Sequence, residues 1–171
     1  MENKTQFTEV LYNLDMMWIM SDASRQVAAF FTGGPGPVPH NAIGPDLRVV
    51  DVKYNSAIDA VFELPFISGA LLADPSQTLD DCVELAERGL YVYFWEDAVR
   101  VMAAYSYVYE RFAIPTNPVT VDQLSECIAD WLVERQLEGV TFANQPTLDI
   151  PSYIRCLDPD QVIARPRMPW D

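Results

Sequence analysis

Side chains that could carry out catalytic chemistry are scarce in this chain. His40 is the single histidine, and it follows the loop GGPGPVP at 33–39. A loop histidine can act as a general acid or base when a nucleophile, a metal ion or a carboxylate is positioned beside it. No spacing typical of a hydrolase, a metalloprotease or a dinucleotide-binding enzyme occurs in the chain. We therefore predict no catalytic residue and no enzyme activity, with catalysis by His40 and a nearby carboxylate as the remaining alternative.

The glycines of the loop at 33–39 suggest a phosphate cradle, but its prolines oppose that interpretation. A cradle binds phosphate through consecutive backbone N–H groups. Pro35 and Pro37 have no N–H to donate, and no lysine stands directly after the loop. We therefore predict a shaped turn at this position and no nucleotide site.

The three cysteines Cys82, Cys127 and Cys156 are too far apart in the sequence to suggest a metal site. Zinc sites cluster cysteine and histidine at short spacing, and calcium loops alternate oxygen ligands, and neither pattern occurs here. We expect no metal and no cofactor. An odd number of widely spaced cysteines also argues against a disulfide framework, so we expect three buried thiols in a reducing cytoplasm.

The sequence shows no sign of secretion or membrane insertion. Its opening, MENKTQFTEVLYNLD, lacks a basic region followed by an apolar region. The most apolar stretch, at 57–73, is interrupted by Asp59, Glu63, Pro65 and Gly69, and a membrane span needs roughly 20 consecutive apolar residues. We expect a soluble, cytoplasmic protein that does not associate with membranes.

Runs of apolar and β-prone residues predict the strands. Residues 16–20 (MMWIM) and 27–32 (VAAFFT) flank a polar connection and predict a β-hairpin. Aromatic and β-branched residues at 90–95 (LYVYFW) and at 103–112 predict two further strands, and a short one is expected at 140–142.

Helical spacing of apolar residues predicts two or three helices. The first covers 46–64, and the second covers 79–88, with Gly89 ending it. Thr120 and Gln123 have the spacing of a capping box and predict the start of a third helix. Helices that do not alternate strictly with strands favour an α+β fold.

We therefore expect an antiparallel sheet of four to six short strands with two or three helices packed on it. Residues 1–150 are predicted to form a single globular domain. The proline-rich residues 151–171 are predicted to form a C-terminal extension.

Charge is the most unusual property of the sequence. The chain has 25 acidic residues against 11 basic ones, a net charge of −14, and only two of the basic residues are lysines. Such a surface repels the phosphates of nucleic acids and anionic membranes, and it attracts basic proteins. We therefore expect a basic protein partner and no nucleic acid partner.

Acidic residues are concentrated on the second and third predicted helices. Four of them recur every fourth residue after Thr120, which predicts one acidic stripe along the third helix. Like charges at this spacing destabilise a helix by about 0.2–0.5 kcal/mol per pair, and sequences under selection for folding alone usually intersperse lysines. General solubility and a docking face for a basic protein both remain open explanations. The docking interpretation predicts eight partner-binding residues: Asp80, Asp81, Glu84, Glu87, Asp122, Glu126, Asp130 and Glu134.

Several segments occur in an order typical of one group of bacterial proteins. They are Trp18 in the first strand, then VAAFFTGGPGPVP, DDCVELAERGLYVYFW, PVTVDQL and LEGVTF. Over residues 16–143 the chain resembles uncharacterised bacterial proteins that are similar to immunity proteins of polymorphic toxin systems. The resemblance implies a small acidic protein without catalytic residues, and it assigns no functional residue.

Two binding functions are therefore compared. The resemblance implies an immunity-type inhibitor, which neutralises a basic cognate toxin, such as a nuclease, by protein–protein binding. The alternative is a phage-type nucleic-acid mimic that inhibits a DNA-binding defence enzyme. A mimic is expected to be more uniformly acidic, whereas half of these residues are hydrophobic. The composition thus favours a packed domain with an acidic face.

Overall fold

The structure is a computed structural model of the 171-residue chain, and it describes residues 15–33, 36–42, 44, 51–77, 79–95, 107–154 and 156. This part of the chain contains seven strands and three α-helices. The strands are β1 (Met17–Asp22), β2 (Val27–Phe31), β3 (Ala70–Leu72), β4 (Tyr91–Trp95), β5 (Val108–Pro115), β6 (Gln136–Leu137) and β7 (Thr147–Asp149). The helices are α1 (Val52–Phe62), α2 (Asp80–Glu87) and α3 (Glu126–Leu132).

The predicted α+β class and the number of helices are confirmed, but the predicted antiparallel sheet of four to six strands is wrong in both its strand direction and its strand number. All seven strands join one mixed sheet in the order β3-β5-β4-β2-β1-β6, with β7 paired to β5. β2 runs parallel to β4, and β1 runs parallel to β6. Parallel neighbours require a long crossover rather than a tight turn. The chain from 32 to 90, which contains α1 and α2, provides that crossover between β2 and β4.

The predicted hairpin is confirmed as β1 and β2, and the carboxylate of Asp22 organises its turn. Asp22 Oδ1 accepts the backbone N–H groups of Ser24 and Gln26, each at 2.9 Å. Arg25, in the same turn, adopts the left-handed conformation, with a φ of 61°. Asp22 Oδ2 accepts the backbone N–H of Phe142 at 2.8 Å, so the same carboxylate also fixes a distant segment.

Helices α1 and α2 lie within their predicted ranges. Asp51 caps α1 by accepting the backbone N–H of Lys53 at 2.8 Å, and residues 46–50 of the predicted helix lie outside the described part. Gly89, predicted to end the second helix, follows α2 with a φ of 96° and donates its N–H to Ala86 O at 3.0 Å.

The third predicted helix is interrupted. The chain forms a 3₁₀ turn at Val121–Gln123, becomes extended at Leu124 (ψ 164°) and begins α3 only at Glu126. The two pieces have different anchors, because Val121 donates its N–H to Arg25 O at 2.9 Å in the hairpin turn, whereas α3 packs on α1. A straight helix would not satisfy both contacts.

Other elements also differ from the sequence predictions. The predicted strand at 140–142 is wrong, because Phe142 begins a 3₁₀ turn, Phe142–Asn144. The strand predicted at 103–112 is observed as β5, and residues 103–106 lie outside the described part. The short strands β3, β6 and β7 were not predicted. No described helix has both the length and the apolar character needed to cross a membrane.

Aromatic residues from neighbouring strands build the core. Trp18 stacks on Phe30 with ring centroids 4.0 Å apart, and Phe30 stacks on Tyr93 at 5.1 Å. Tyr109 meets Trp18 and Phe30 edge-on, at 5.6 and 5.5 Å. Strand register explains this column, since Trp18 pairs with Phe30 and Phe30 with Tyr93 across adjacent strands. The hydroxyls are satisfied as well: Tyr109 donates to Pro37 O at 3.0 Å, and Tyr93 to Gln145 O at 2.6 Å.

Candidate functional site

The eight predicted partner-binding residues form two separate groups, one on α2 and one on or beside α3. Asp80, Asp81, Glu84 and Glu87 belong to α2, which packs on β3, β4 and β5. The other four lie on or beside α3, which packs on α1 and β1. β3 and β1 are four strand positions apart in the sheet order, a distance of about 19 Å at the usual strand spacing. The structure therefore presents two acidic groups and does not bring them together.

Helix α2, which carries the first acidic group, is hydrogen-bonded at its end to the segment that precedes β3. Asp80 and Asp81 are exposed in the first turn, where a negative charge interacts favourably with the helix dipole. Glu84 is half-buried and pairs with Arg88 at 2.5 Å. The backbone carbonyl of Glu87 accepts the N–H groups of residues 67 and 68, at 3.0 and 2.9 Å. The end of α2 thus holds this segment against the helix.

The predicted acidic stripe along one helix is wrong in its geometry. Asp122 lies in the 3₁₀ turn, Glu126 and Asp130 lie on α3, and Glu134 lies past the end of α3. All four are exposed. Asp122 is engaged by Arg25, whose Nη2 and Nε donate to the carboxylate at 2.7 and 3.2 Å. Only Glu126 and Asp130 keep the predicted helical spacing of four.

A buried arginine holds the end of α3 in place. The guanidinium of Arg135 lies 3.3 Å from the ring centroid of Trp131, and it donates to Trp131 O at 2.6 Å and to Asn41 O at 2.8 Å. Asn41 Nδ2 in turn donates to Glu134 O at 3.0 Å. Desolvation by burial lowers the pKa of Arg135, opposed by the charges of Glu134 and Asp51. The charge of this arginine is used in internal contacts and acts on Glu134, whereas Glu126 and Asp130 form no salt bridge among the described residues.

An exposed apolar segment beside α2 was missed by the sequence analysis. Phe66, Ile67 and Leu71 are 61%, 49% and 57% exposed. Leu71 is the middle residue of β3, and its neighbours Ala70 and Leu72 are half-buried against the core. Alternation along a strand places Leu71 on the opposite side from those two. The apolar sequence PFISGALL at 65–72 carried this signal, because it has no helical periodicity and no charge.

This exposed segment has a defined conformation. Thr116 Oγ1 accepts the N–H of Gly69 at 2.8 Å, and the backbone N–H of Thr116 donates to Gly69 O at 2.9 Å. Asn117 Nδ2 donates to Ile67 O at 3.3 Å. The guanidinium of Arg88 lies 4.1 Å from the ring centroid of Phe66. Side chains of the segment are therefore exposed while its backbone is fixed.

The candidate catalytic residues do not assemble into a site within the described residues. His40 is exposed in the loop that leads to Asn41, and the described residues hold no cluster of histidine, cysteine and carboxylate groups suited to a metal ion. The three cysteines are unpaired, as predicted, but only Cys82 is buried, whereas Cys127 is exposed and Cys156 is half-buried. Burial raises the pKa values of Cys82 and Cys156 to about 12, which keeps these thiols protonated and unreactive.

Comparison of the chain with protein-family models, with curated proteins and with solved structures finds no match.

Proposed function

We propose that this protein is a non-catalytic acidic binding protein, an immunity-type inhibitor that neutralises a basic toxin by covering its surface. One observation carries the proposal. Of the eight predicted partner-binding carboxylates, only Glu84 and Asp122 form a salt bridge among the described residues. Although the charge of Glu134 raises the pKa of Arg135, none of the other six forms a salt bridge there. They are Asp80, Asp81, Glu87, Glu126, Asp130 and Glu134.

Carboxylates without a salt bridge gain no ion-pair stabilisation in the folded state. Uncompensated carboxylates on a helix repel one another, and net charge far from zero destabilises the compact state. A basic partner reverses the sign of that effect, because complementary charges accelerate association and select the partner. The unpaired cysteines and the resemblance to immunity proteins support the same role in a reducing cytoplasm.

The test begins with capture of a partner by the full chain from lysate of its native host, at low and at high salt, with mass spectrometry of the eluate. We expect one basic protein that high salt releases, because screening weakens charge complementarity. The purified partner is then titrated with variants of the inhibitor. A toxin identified in this way should lose its activity when the wild-type protein is added in equimolar amount.

Charge reversal locates the interface. Asp80→Lys with Asp81→Lys tests the group on α2, and Glu126→Lys with Asp130→Lys tests the group on α3. At least one double variant should weaken binding by about tenfold or more. Asp59→Lys, on the exposed face of α1, is the control for a change of net charge. The proposal would be overturned if no basic protein were captured, or if the partner bound every variant with equal affinity. Capture of a DNA-binding enzyme that duplex DNA displaces would instead favour the nucleic-acid mimic.

A further inference from the structure

We propose that the outer edge of β3 is a docking site for an extended, basic segment of a partner protein, which adds to the sheet as a further strand. This inference rests on the proposed function and specifies how the partner is held. Three features of the described residues support it: an unpaired strand edge, exposed apolar side chains along it, and exposed charges around it that are acidic.

Within the described part of the chain, the edge of β3 that faces away from β5 is open, because β3 is the terminal strand on that side of the sheet. Its partner β5 takes up the hydrogen bonds of alternate residues. Thr116 N–H donates to Gly69 O, and Ala73 N–H donates to Phe112 O, each at 2.9 Å. In an antiparallel ladder the bonded positions alternate, so residues 69, 71 and 73 face β5. The N–H and C=O groups of Ala70 and Leu72 therefore face outward, where another strand can pair with them.

The side chains along this edge are apolar and exposed. Leu71 projects from β3 and pairs across the ladder with the half-buried Ile114. Ile67, three residues before β3, is exposed as well, at 49%. Proteins usually protect an edge strand with lysine, proline or a bulge. Residues 66–73, FISGALLA, contain no proline and no charge, so this edge lacks those protections.

The charges around the edge are acidic and select a basic occupant. Glu63 and Asp74, both exposed, border the segment on either side. Asp74 remains ionised because Ser76 donates two hydrogen bonds to its carboxylate, which lowers its pKa. Asp80 and Asp81 follow at the start of α2. The single basic residue from 63 to 88 is Arg88, which is buried and paired with Glu84.

Charge also argues against a second copy of the chain as the occupant. A symmetric pairing of two β3 edges would bring the same carboxylates of both copies close together, in a chain of net charge −14. A strand with alternating basic and apolar residues avoids that repulsion. Its backbone pairs with Ala70 and Leu72, its apolar side chains cover Leu71 and Ile67, and its basic side chains meet Asp74 and α2. This is strand addition to an exposed sheet edge, a common mode of peptide recognition.

The test uses the full chain and a synthetic probe, the blocked peptide VKVKVKV, followed by titration calorimetry and by amide signals in NMR. A peptide with glutamate in place of lysine, VEVEVEV, is the control for charge. We expect the lysine peptide to bind and the glutamate peptide to bind at least about tenfold more weakly. The amides of Ala70 and Leu72 should show the largest protection from exchange, because they gain the new hydrogen bonds.

Two variants test the geometry. Leu71→Lys places a positive charge in the centre of the edge, and Ala70→Pro removes an outward N–H without touching the bonds to β5. Each substitution should lower the affinity for the peptide VKVKVKV by about tenfold or more. Val133→Lys is the matched control, because Val133 is 75% exposed at the end of α3, and it should leave the affinity unchanged.

The outcomes separate this inference from the proposed function. Equal binding by all three variants, or equal binding of both peptides, would overturn strand addition at β3. A dimer that forms with rising concentration and is abolished by Leu71→Lys would assign the edge to a second copy and would also overturn it. If the captured toxin binds the Leu71→Lys variant as tightly as the wild type but binds the variant with Glu126→Lys and Asp130→Lys more weakly, strand addition at β3 fails and the proposed function stands. Peptide binding at β3 without any basic partner in the host would instead overturn the proposed function.

Discussion

The two acidic surfaces of this protein differ in what lies beside the charge. On the α2 surface, formed by α2, β3 and the segment 65–72, apolar side chains are exposed next to the carboxylates. On the α3 surface, formed by α3, the 3₁₀ turn before it and the segment after it, the large aromatic residue is Trp131, which is buried under Arg135. Both surfaces are acidic and each lies beside a terminal strand of the sheet, β3 or β6. In the described part of the chain, only the α2 surface combines its charge with several exposed apolar side chains along the strand edge.

This difference separates charge that steers a partner from surface that holds one. Exposed carboxylates raise association rates but contribute little affinity individually, because solvent screens them. Apolar and aromatic residues at the centre of an interface supply most of the binding energy. The α2 surface has both components, whereas the α3 surface has charge with a rigid support. We therefore expect the α3 surface to contribute to the rate of association and the α2 surface to the lifetime of the complex.

The rigid support of the α3 surface gives the largest expected effect on stability. Arg135→Ala removes the cation that covers Trp131 and the donors to Trp131 O and Asn41 O. Hydrogen bonds from charged groups are worth about 1.5–3 kcal/mol each when loss leaves buried partners unsatisfied, offset in part by the desolvation of the charge. We expect the free energy of unfolding to fall by about 3 kcal/mol, measured by urea denaturation.

The control for this prediction is the exposed salt bridge of the same surface. Arg25→Ala breaks the pair with Asp122, both partners of which are more than half exposed. Exposed ion pairs contribute about 0–1 kcal/mol, so the variant should unfold almost as the wild type does. If both arginine variants lose the same stability, Arg135 does not hold the end of α3.

Two glycines with positive φ, Gly89 after α2 and Gly139 after β6, differ in the space around them. Gly89 follows α2 with a φ of 96°, and a Cβ there would lie 2.7 Å from Val119 Cγ1 and 3.1 Å from Asn117 O. Gly139 has a φ of 74°, and a Cβ added to it would meet no atom within 4 Å. Gly89→Ala adds a steric clash to the strain of a left-handed residue, and we expect a loss of about 2 kcal/mol or more. Gly139→Ala carries the strain alone, for which we expect about 1 kcal/mol.

Thermal unfolding of the two alanine variants measures this difference. The melting temperature of Gly89→Ala should fall clearly below that of Gly139→Ala. Equal melting temperatures would show that the turn after α2 relaxes around the added methyl group, and that the α2 surface is less rigid than its contacts indicate.

The sequence predicted those elements whose pattern is local. Residues 16–20 and 27–32 show an apolar pair of runs around a polar turn, and the hairpin β1–β2 forms there. Gly89 marks the end of α2 because only a residue tolerant of positive φ fits the turn. The acidic residues of α2 were predicted at the surface, and they lie exposed or half-buried.

Features that depend on distant parts of the chain could not be predicted from one sequence. The parallel pairing of β2 with β4 joins residues on either side of two helices. The break at Leu124 follows from the attachment of Val121 to the hairpin turn, which a capping-box pattern does not reveal. β3 has three residues and β6 has two, too few for alternation to be recognised. The candidate edge at β3 was missed for that reason.

The smallest expected effect is the loss of stability at alkaline pH that comes from two buried groups, Tyr54 on α1 and Cys82 on α2. Burial raises the pKa of Tyr54, whose hydroxyl donates to Met17 O at 2.6 Å, from 10.0 to about 12. Burial and the charges of Asp81 and Asp15 raise the pKa of Cys82 from 9.0 to about 12. Each group keeps its proton in the folded state where the unfolded state has lost it. Its contribution is therefore complete below the unfolded pKa and is lost as the pH rises towards 12.

Tyr54→Phe loses one buried hydrogen bond, so we expect a loss of about 1 kcal/mol at neutral pH. As Tyr54 begins to ionise in the unfolded wild type, the difference in melting temperature between the wild type and Tyr54→Phe should narrow above about pH 10. For Cys82→Ala the same difference should narrow from about pH 9, since the unfolded thiol ionises earlier. Melting curves at several values between pH 8 and about pH 11 measure both onsets. Differences that stay constant over this range would mean that neither group is held protonated by the fold, and that both helices pack more loosely on the sheet than their contacts show.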